Sequence, residues 1–112
     1  MMWRAESVGR QIQHELSDLI HRHLKDPRLG YVTVTGVQVS RDLKFARVHV
    51  SVMGDDQVRD TSLETLQRAL PYLRRELGRR IRLRNVPELE FRLDESLEQA
   101  SRIDRLLDDL KP

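Results

Sequence analysis

A chain of 112 residues with 38% hydrophobic and 34% charged positions carries enough apolar surface for one core and not for two, so a single domain spanning 1–112 is expected. The absence of cysteine excludes a disulfide framework, a thiolate zinc site and a cysteine nucleophile together. With no signal-like apolar core after Met1 and no window approaching about 18 consecutive apolar residues, the expected setting is the cytoplasm, away from membranes. The formal net charge of +2 hides a segregation. Between Arg68 and Arg84 stand seven arginines against one acid, Glu76, whereas Leu93 to Pro112 holds six acids against three bases. One face is thereby suited to a polyanion.

In chain order, Val8, Ile12, Leu16, Leu19, Ile20 and Leu24 keep a three-and-four spacing that predicts an amphipathic helix over Glu6–Leu24, stopped by Asp26-Pro27. Tyr31 to Val39 alternates, with Val32 and Val34 in one phase and Val37 and Val39 in the other. A bulge at Gly36 keeps all four valines on one buried face. After the turn-like Ser40-Arg41-Asp42-Leu43-Lys44, a partner strand buries Ala46, Val48, Val50 and Val52. The acidic stretch to Asp60 reads as a linker, with a helix starting at Thr61 or Ser62 and carrying Leu63, Leu66 and Leu70 inward. A break at Ala69-Leu70-Pro71 separates it from a short helix over Tyr72–Leu77, with Gly78 as its left-handed cap. Ile81, Leu83, Leu89, Phe91 and Leu93 share one parity. They predict a third strand, irregular at Val86-Pro87, whose wet face carries Arg82 and Arg84. Ser96 and Gln99 resemble a capping box that opens a last helix with Leu97, Ala100, Ile103, Leu107 and Leu110 on one face. The order is αββααβα.

The chemistry in this pattern is that of binding. Guanidinium groups stay charged and grip phosphate bidentately, which makes the cluster Arg74, Arg75, Arg79, Arg80, Arg82 and Arg84 the leading candidate for RNA phosphate contact. On charge alone the same arginines also fit a solvated surface paired to Glu76, Glu88 and Glu90. Aromatic residues are few and Phe91 falls in the core parity, so recognition through phosphate, ribose and shape is expected rather than base stacking. His14, Asp18 and His21 share one helical face at a spacing open to metal. A polar outer face is the plainer account of the three, and no metal or other cofactor is expected. The chain has no phosphate-binding Gly-rich loop, no nucleophile elbow and no carboxylate pair that spacing places in a cleft, so no enzyme is expected.

Without its last helix, the predicted order is that of the type II KH fold. Lys25-Asp26-Pro27-Arg28-Leu29-Gly30, Thr35-Gly36-Val37 and Ser40-Arg41-Asp42-Leu43 resemble the bacterial ribosome-binding factor A family, as do Ile81-Arg82-Leu83-Arg84, Val86-Pro87-Glu88-Leu89, Phe91, Asp94 and Ser96-Leu97. The resemblance covers nearly the whole chain. It implies an α+β fold: an αββααβ core whose three-stranded mixed sheet is covered on one face by helices, plus a C-terminal helix. It further implies a non-catalytic, cytoplasmic, cold-adaptation factor, expected to be monomeric, that binds the small (30S) ribosomal subunit and assists late maturation of 16S rRNA. By the same resemblance Ala69-Leu70-Pro71 is the interhelical kink, with proline standing where the family carries glycine, and Ala100 stands where many relatives have glycine. Lys25, Arg28, Arg41 and Lys44 are secondary RNA-binding candidates. The alternative from another class is a protein-interaction module docking through the acidic C-terminal helix.

Overall fold

The computed structural model describes residues 5–94. Its elements are α1 (Ala5–Asp18) continuing through a π-helical turn (Leu19–His23), β1 (Tyr31–Val39), β2 (Phe45–Met53), α2 (Asp56–Arg68), α3 (Leu70–Arg80) and β3 (Glu88–Leu93). The helix expected from Ser96, and with it the acidic docking arm, lies outside the described residues.

The helical stripe of α1 is buried at Val8, Ile12 and Leu16, and the widened turn that follows buries Leu19 and Ile20 side by side. That turn closes with Leu24 N–H donating to the Leu19 carbonyl at 2.9 Å, the i to i+5 bond of a π-turn. β1 and β2 pair antiparallel from Tyr31↔Met53 to Val39↔Ala46, and the register slips between Val34 and Gly36. Thr35 is the extra residue of the bulge. Its hydroxyl lies 2.7 Å from the Asp94 carboxylate and 3.2 Å from the His49 carbonyl. The slip returns Val37 and Val39 to the core side, as the valine phases require. β3 joins β2 in parallel, Phe45↔Glu88 to Val50↔Leu93, which obliges the chain to cross over through α2 and α3. Val32, Val34, Ala46, Val48, Val50, Val52, Leu89 and Phe91 thus share one buried sheet face with Ile12, Leu16, Leu66, Leu73 and Leu77. The other face leaves Tyr31, Phe45 and Met53 exposed.

α1 lies so close to β1 that a Cβ at Gly9 would stand 2.8 Å from the Val37 carbonyl oxygen. A backbone oxygen in a paired strand cannot move aside as a flexible side chain can. Gly9→Ala is therefore expected to lose on the order of 1–2 kcal/mol in urea unfolding, despite alanine's helix-propensity advantage of about 1 kcal/mol. Equal or higher stability would show that the two elements separate freely.

Three boundaries differ from expectation. α2 begins at Asp56, because Asp55 is its N-cap, its side chain accepting from Val58 N–H at 2.9 Å. Acids that resemble a linker are also what the positive end of a helix attracts. α3 runs through Gly78 to Arg80, and the described glycine with positive φ is Gly54 at 134°. Gly78 is thus a helical residue and not a left-handed cap; a Cβ there would lie 3.3 Å from Val86 Cγ2. The third strand is confined to Glu88–Leu93, so Arg82 and Arg84 leave an irregular segment and not a strand. The physical reason is the partner: β2 starts at Phe45, opposite Glu88, and among the described residues no strand lies beside 81–87 to bond them. Their parity survives, with Ile81 buried and Arg82 and Arg84 exposed.

Candidate nucleic-acid interface

α3 turns Leu73 and Leu77 into the core, which sends Arg75 and Arg79, four residues apart, to the solvent side. Arg82 and Arg84 extend this exposed basic surface into the segment that follows. Among the described residues Arg75, Arg82 and Arg84 form no ion pair, and Arg79 meets Glu76 at 3.5 Å while its side chain stays 71% exposed.

The other two arginines of the cluster hold the fold together. Arg74 donates from Nε to the Pro87 carbonyl at 3.2 Å and from Nη2 to the Val86 carbonyl at 2.9 Å, fastening the 81–87 segment to α3. Arg80 donates from Nη1 to Asp18 Oδ2 at 2.6 Å and to Glu15 Oε2 at 3.1 Å, tying the last turn of α3 to α1. The hydrogen bond from Arg80 holds the Asp18 carboxyl below its ordinary value, with Arg22 and His23 adding to the effect. Arg74 and Arg75, adjacent in sequence, therefore differ completely in environment.

The secondary candidates fall at opposite ends of β1, about 30 Å apart for nine residues of strand. Arg28 folds back on Asp26 through Nε at 3.1 Å and Nη2 at 2.9 Å. Those bonds, with the Arg28 backbone N–H, lower the Asp26 carboxyl to about 2. Lys25 beside them is exposed. At the other end Arg41 and Lys44 stand on a rigid turn in which Ser40 Oγ donates to Asp42 at 2.6 Å and Asp42 accepts from Lys44 N–H at 3.1 Å. Leu43 holds φ at 61° there, a left-handed conformation costly for a branched side chain and retained because Leu43 packs on the core.

Between α2 and α3 the helix is interrupted at Ala69, with φ −82° and ψ −4°, and Pro71 sits in the first turn of α3. No positive φ is needed at this junction. Proline is favourable there because a first-turn N–H has no intrahelical acceptor.

His14, Asp18 and His21 go to separate tasks. Asp18 belongs to Arg80; His21 Nε2 lies 2.6 Å from the Val32 carbonyl, and its ring stacks on Tyr31 at 5.9 Å. His14 lines a cleft beside Arg10 and Arg82. No cluster of three metal-ligating side chains occurs among the described residues. On the open sheet face Glu90 takes both Arg47, at 3.4 Å, and Arg92, so each of these arginines already has an acidic partner. Arg10 is the residue that linear reading passes over. It lies far from the arginine-rich stretch, and the packing of α1 on the end of α3 brings it near.

The model of the ribosome-binding factor A family matches residues 4–107. The chain belongs to this family. It is 49% identical over 110 residues to the ribosome-binding factor A of Desulforamulus reducens, covering 98% of this chain and 92% of that one. The crystal structure of ribosome-binding factor A from Thermus thermophilus superposes with a TM-score of 0.72 at 32% identity, over 81% of this chain and 97% of the other. A Thermus thermophilus homology model fitted into the electron-microscopy map of a complex of that factor with the 30S subunit gives 0.69 at 31% identity, over 81% and 96%. The family fold is the one described above: helices on one face of a three-stranded mixed sheet. No helix among the described residues is long and apolar enough to cross a membrane.

Proposed function

We propose that this protein is a non-catalytic, monomeric, cytoplasmic factor that binds the small ribosomal subunit and assists late maturation of its 16S rRNA. Family membership supports the reading, as does the Thermus thermophilus relative fitted to the 30S subunit. The observation that carries it is the surface of Arg75, Arg79, Arg82 and Arg84, four cations with at most one internal partner among the described residues. Such a surface lowers its energy by meeting phosphates and releasing their counterions. Lys25, Arg41 and Lys44 add outlying contacts; Arg28, already chelated by Asp26, adds less, and Arg74 and Arg80 serve the interface by holding its frame.

Recognition runs through phosphate, ribose and shape. The exposed rings Tyr31 and Phe45 stand at opposite ends of the hairpin, about 27 Å apart along β2, because Tyr31 is paired with Met53. Two isolated rings do not make a platform for successive bases.

Cosedimentation with separated subunits tests the proposal. Selective pelleting with the small subunit is expected, weakening with salt at a log–log slope of about −3 to −4 from the four surface arginines, made steeper by the outlying contacts. Equal pelleting with both subunits, or with neither, would refute it.

A further inference from the structure

A cleft of about 600 Å³ opens between α1 and the end of α3, lined by Arg10, Gln11, His14, Glu15, Arg80, Ile81 and Arg82. We propose that this cleft seats a single nucleotide of RNA, with its phosphate held by Arg10 and Arg82. The proposal deepens the ribosomal reading and rests on it for the source of the nucleotide.

Three features point to this ligand. The volume lies in the range of small-molecule sites, about 300–1,000 Å³, large enough for a base and sugar as well as a phosphate. Three arginines line it against one carboxylate, Glu15, and that carboxylate is held at 3.1 Å by Arg80. Arg10 stands on α1 and Arg82 on the segment after α3, and neither forms an ion pair among the described residues, so both can meet an anion in the cleft. Arg80 commits Nη1 to its two acids and leaves Nε and Nη2 without a protein acceptor among the described residues. A base would find an apolar wall at Ile81 and flat groups to stack on in the His14 imidazole and the guanidinium planes. The cleft shares Arg82 with the basic surface of α3 and lies away from the Ala69 junction, which marks the opposite end of α3.

The test has two arms. In the first, the full chain is titrated with 5′-AMP, adenosine and inorganic phosphate, followed by two-dimensional NMR of amide and arginine Nε–H resonances. Saturable shifts at residues 10–15 and 80–82 with AMP, smaller shifts with phosphate and none with adenosine are expected. In Arg10→Gln/Arg82→Gln the AMP affinity should fall about tenfold or more. Both side chains are exposed, so the double variant should keep the wild-type melting temperature. Unmoved cleft resonances, or a double variant that titrates like wild type, would overturn the site. In the second arm Arg10→Gln alone, which leaves the Arg75, Arg79, Arg82 and Arg84 surface intact, is cosedimented with small subunits. A loss of about tenfold in affinity supports RNA as the source; unchanged pelleting beside a working AMP site means free nucleotide and overturns that source. Should the wild-type chain fail to pellet with small subunits, the assembly reading falls, and the AMP titration alone decides the cleft.

Discussion

Reversing Arg75, Arg79, Arg82 and Arg84 to glutamate is expected to reduce small-subunit affinity by at least about a thousandfold while moving the melting temperature by no more than a few degrees. The first half follows from charge-assisted contacts. At about 1.5 kcal/mol for each guanidinium–phosphate pair, four lost contacts amount to some four decades, before repulsion from the new carboxylates. The second half follows from placement: Arg75, Arg82 and Arg84 hold nothing together among the described residues, and the exposed Arg79–Glu76 pair is worth at most about 1 kcal/mol. A parallel set of Arg→Lys changes separates the possible modes of contact. Lysine keeps the charge and loses the bidentate fork, so a modest loss with lysine and a total loss with glutamate would indicate phosphate contact without base readout. Retained binding in the glutamate variant would remove this surface from the interface. A large fall in melting temperature would mean that these arginines support the fold.

The choice of four positions shows where sequence reading succeeds and where it stops. The hairpin and its bulge were legible because alternation and the single glycine between the two valine phases are local facts about β1. Burial at Ile81, Leu89 and Phe91 was legible for the same reason. Whether residues 81–87 form a strand depends instead on where β2 begins, a fact of the partner. Function within the arginine cluster depends on tertiary neighbours in the same way. Arg74 finds two carbonyls across the crossover and Arg80 finds two acids on α1, whereas Arg75 stays exposed and Arg79 meets only Glu76 on its own helix, and nothing in the run of basic residues separates these fates. Asp55 is the converse case: its capping role is local, but it stands in an acidic stretch whose charge suggests a linker. The cleft was least legible, since its lining comes from stretches of chain about 70 residues apart in sequence.

Arg80 should behave in the opposite way to its neighbours. Arg80→Met keeps the aliphatic stem and removes the cation, leaving Glu15 and Asp18 without the charge that joins them to α3. The side chains of the three residues are 26–31% exposed, so solvent screens part of the loss; a fall in melting temperature on the order of 5 °C is expected at pH 7. Arg80→Glu sets a third carboxylate against these two and should cost on the order of 10 °C or more. The pH dependence identifies the cause. The Asp18 carboxyl is depressed in the folded chain by its hydrogen bond from Arg80, so the stability it contributes is complete above its ordinary value of 3.8 and is lost as pH falls through the lower folded value. The gap between wild type and Arg80→Met should therefore be constant from neutrality down to about pH 5 and close steadily below about pH 4. Small-subunit binding by Arg80→Met, measured well below its melting temperature, should be reduced far less than in the surface reversal. Calorimetry of the two chains from pH 7 to pH 2.5 decides the matter: a gap that persists undiminished into acid would assign Arg80's contribution to packing of its stem, and no gap at pH 7 would show that α3 holds to α1 through its apolar face alone.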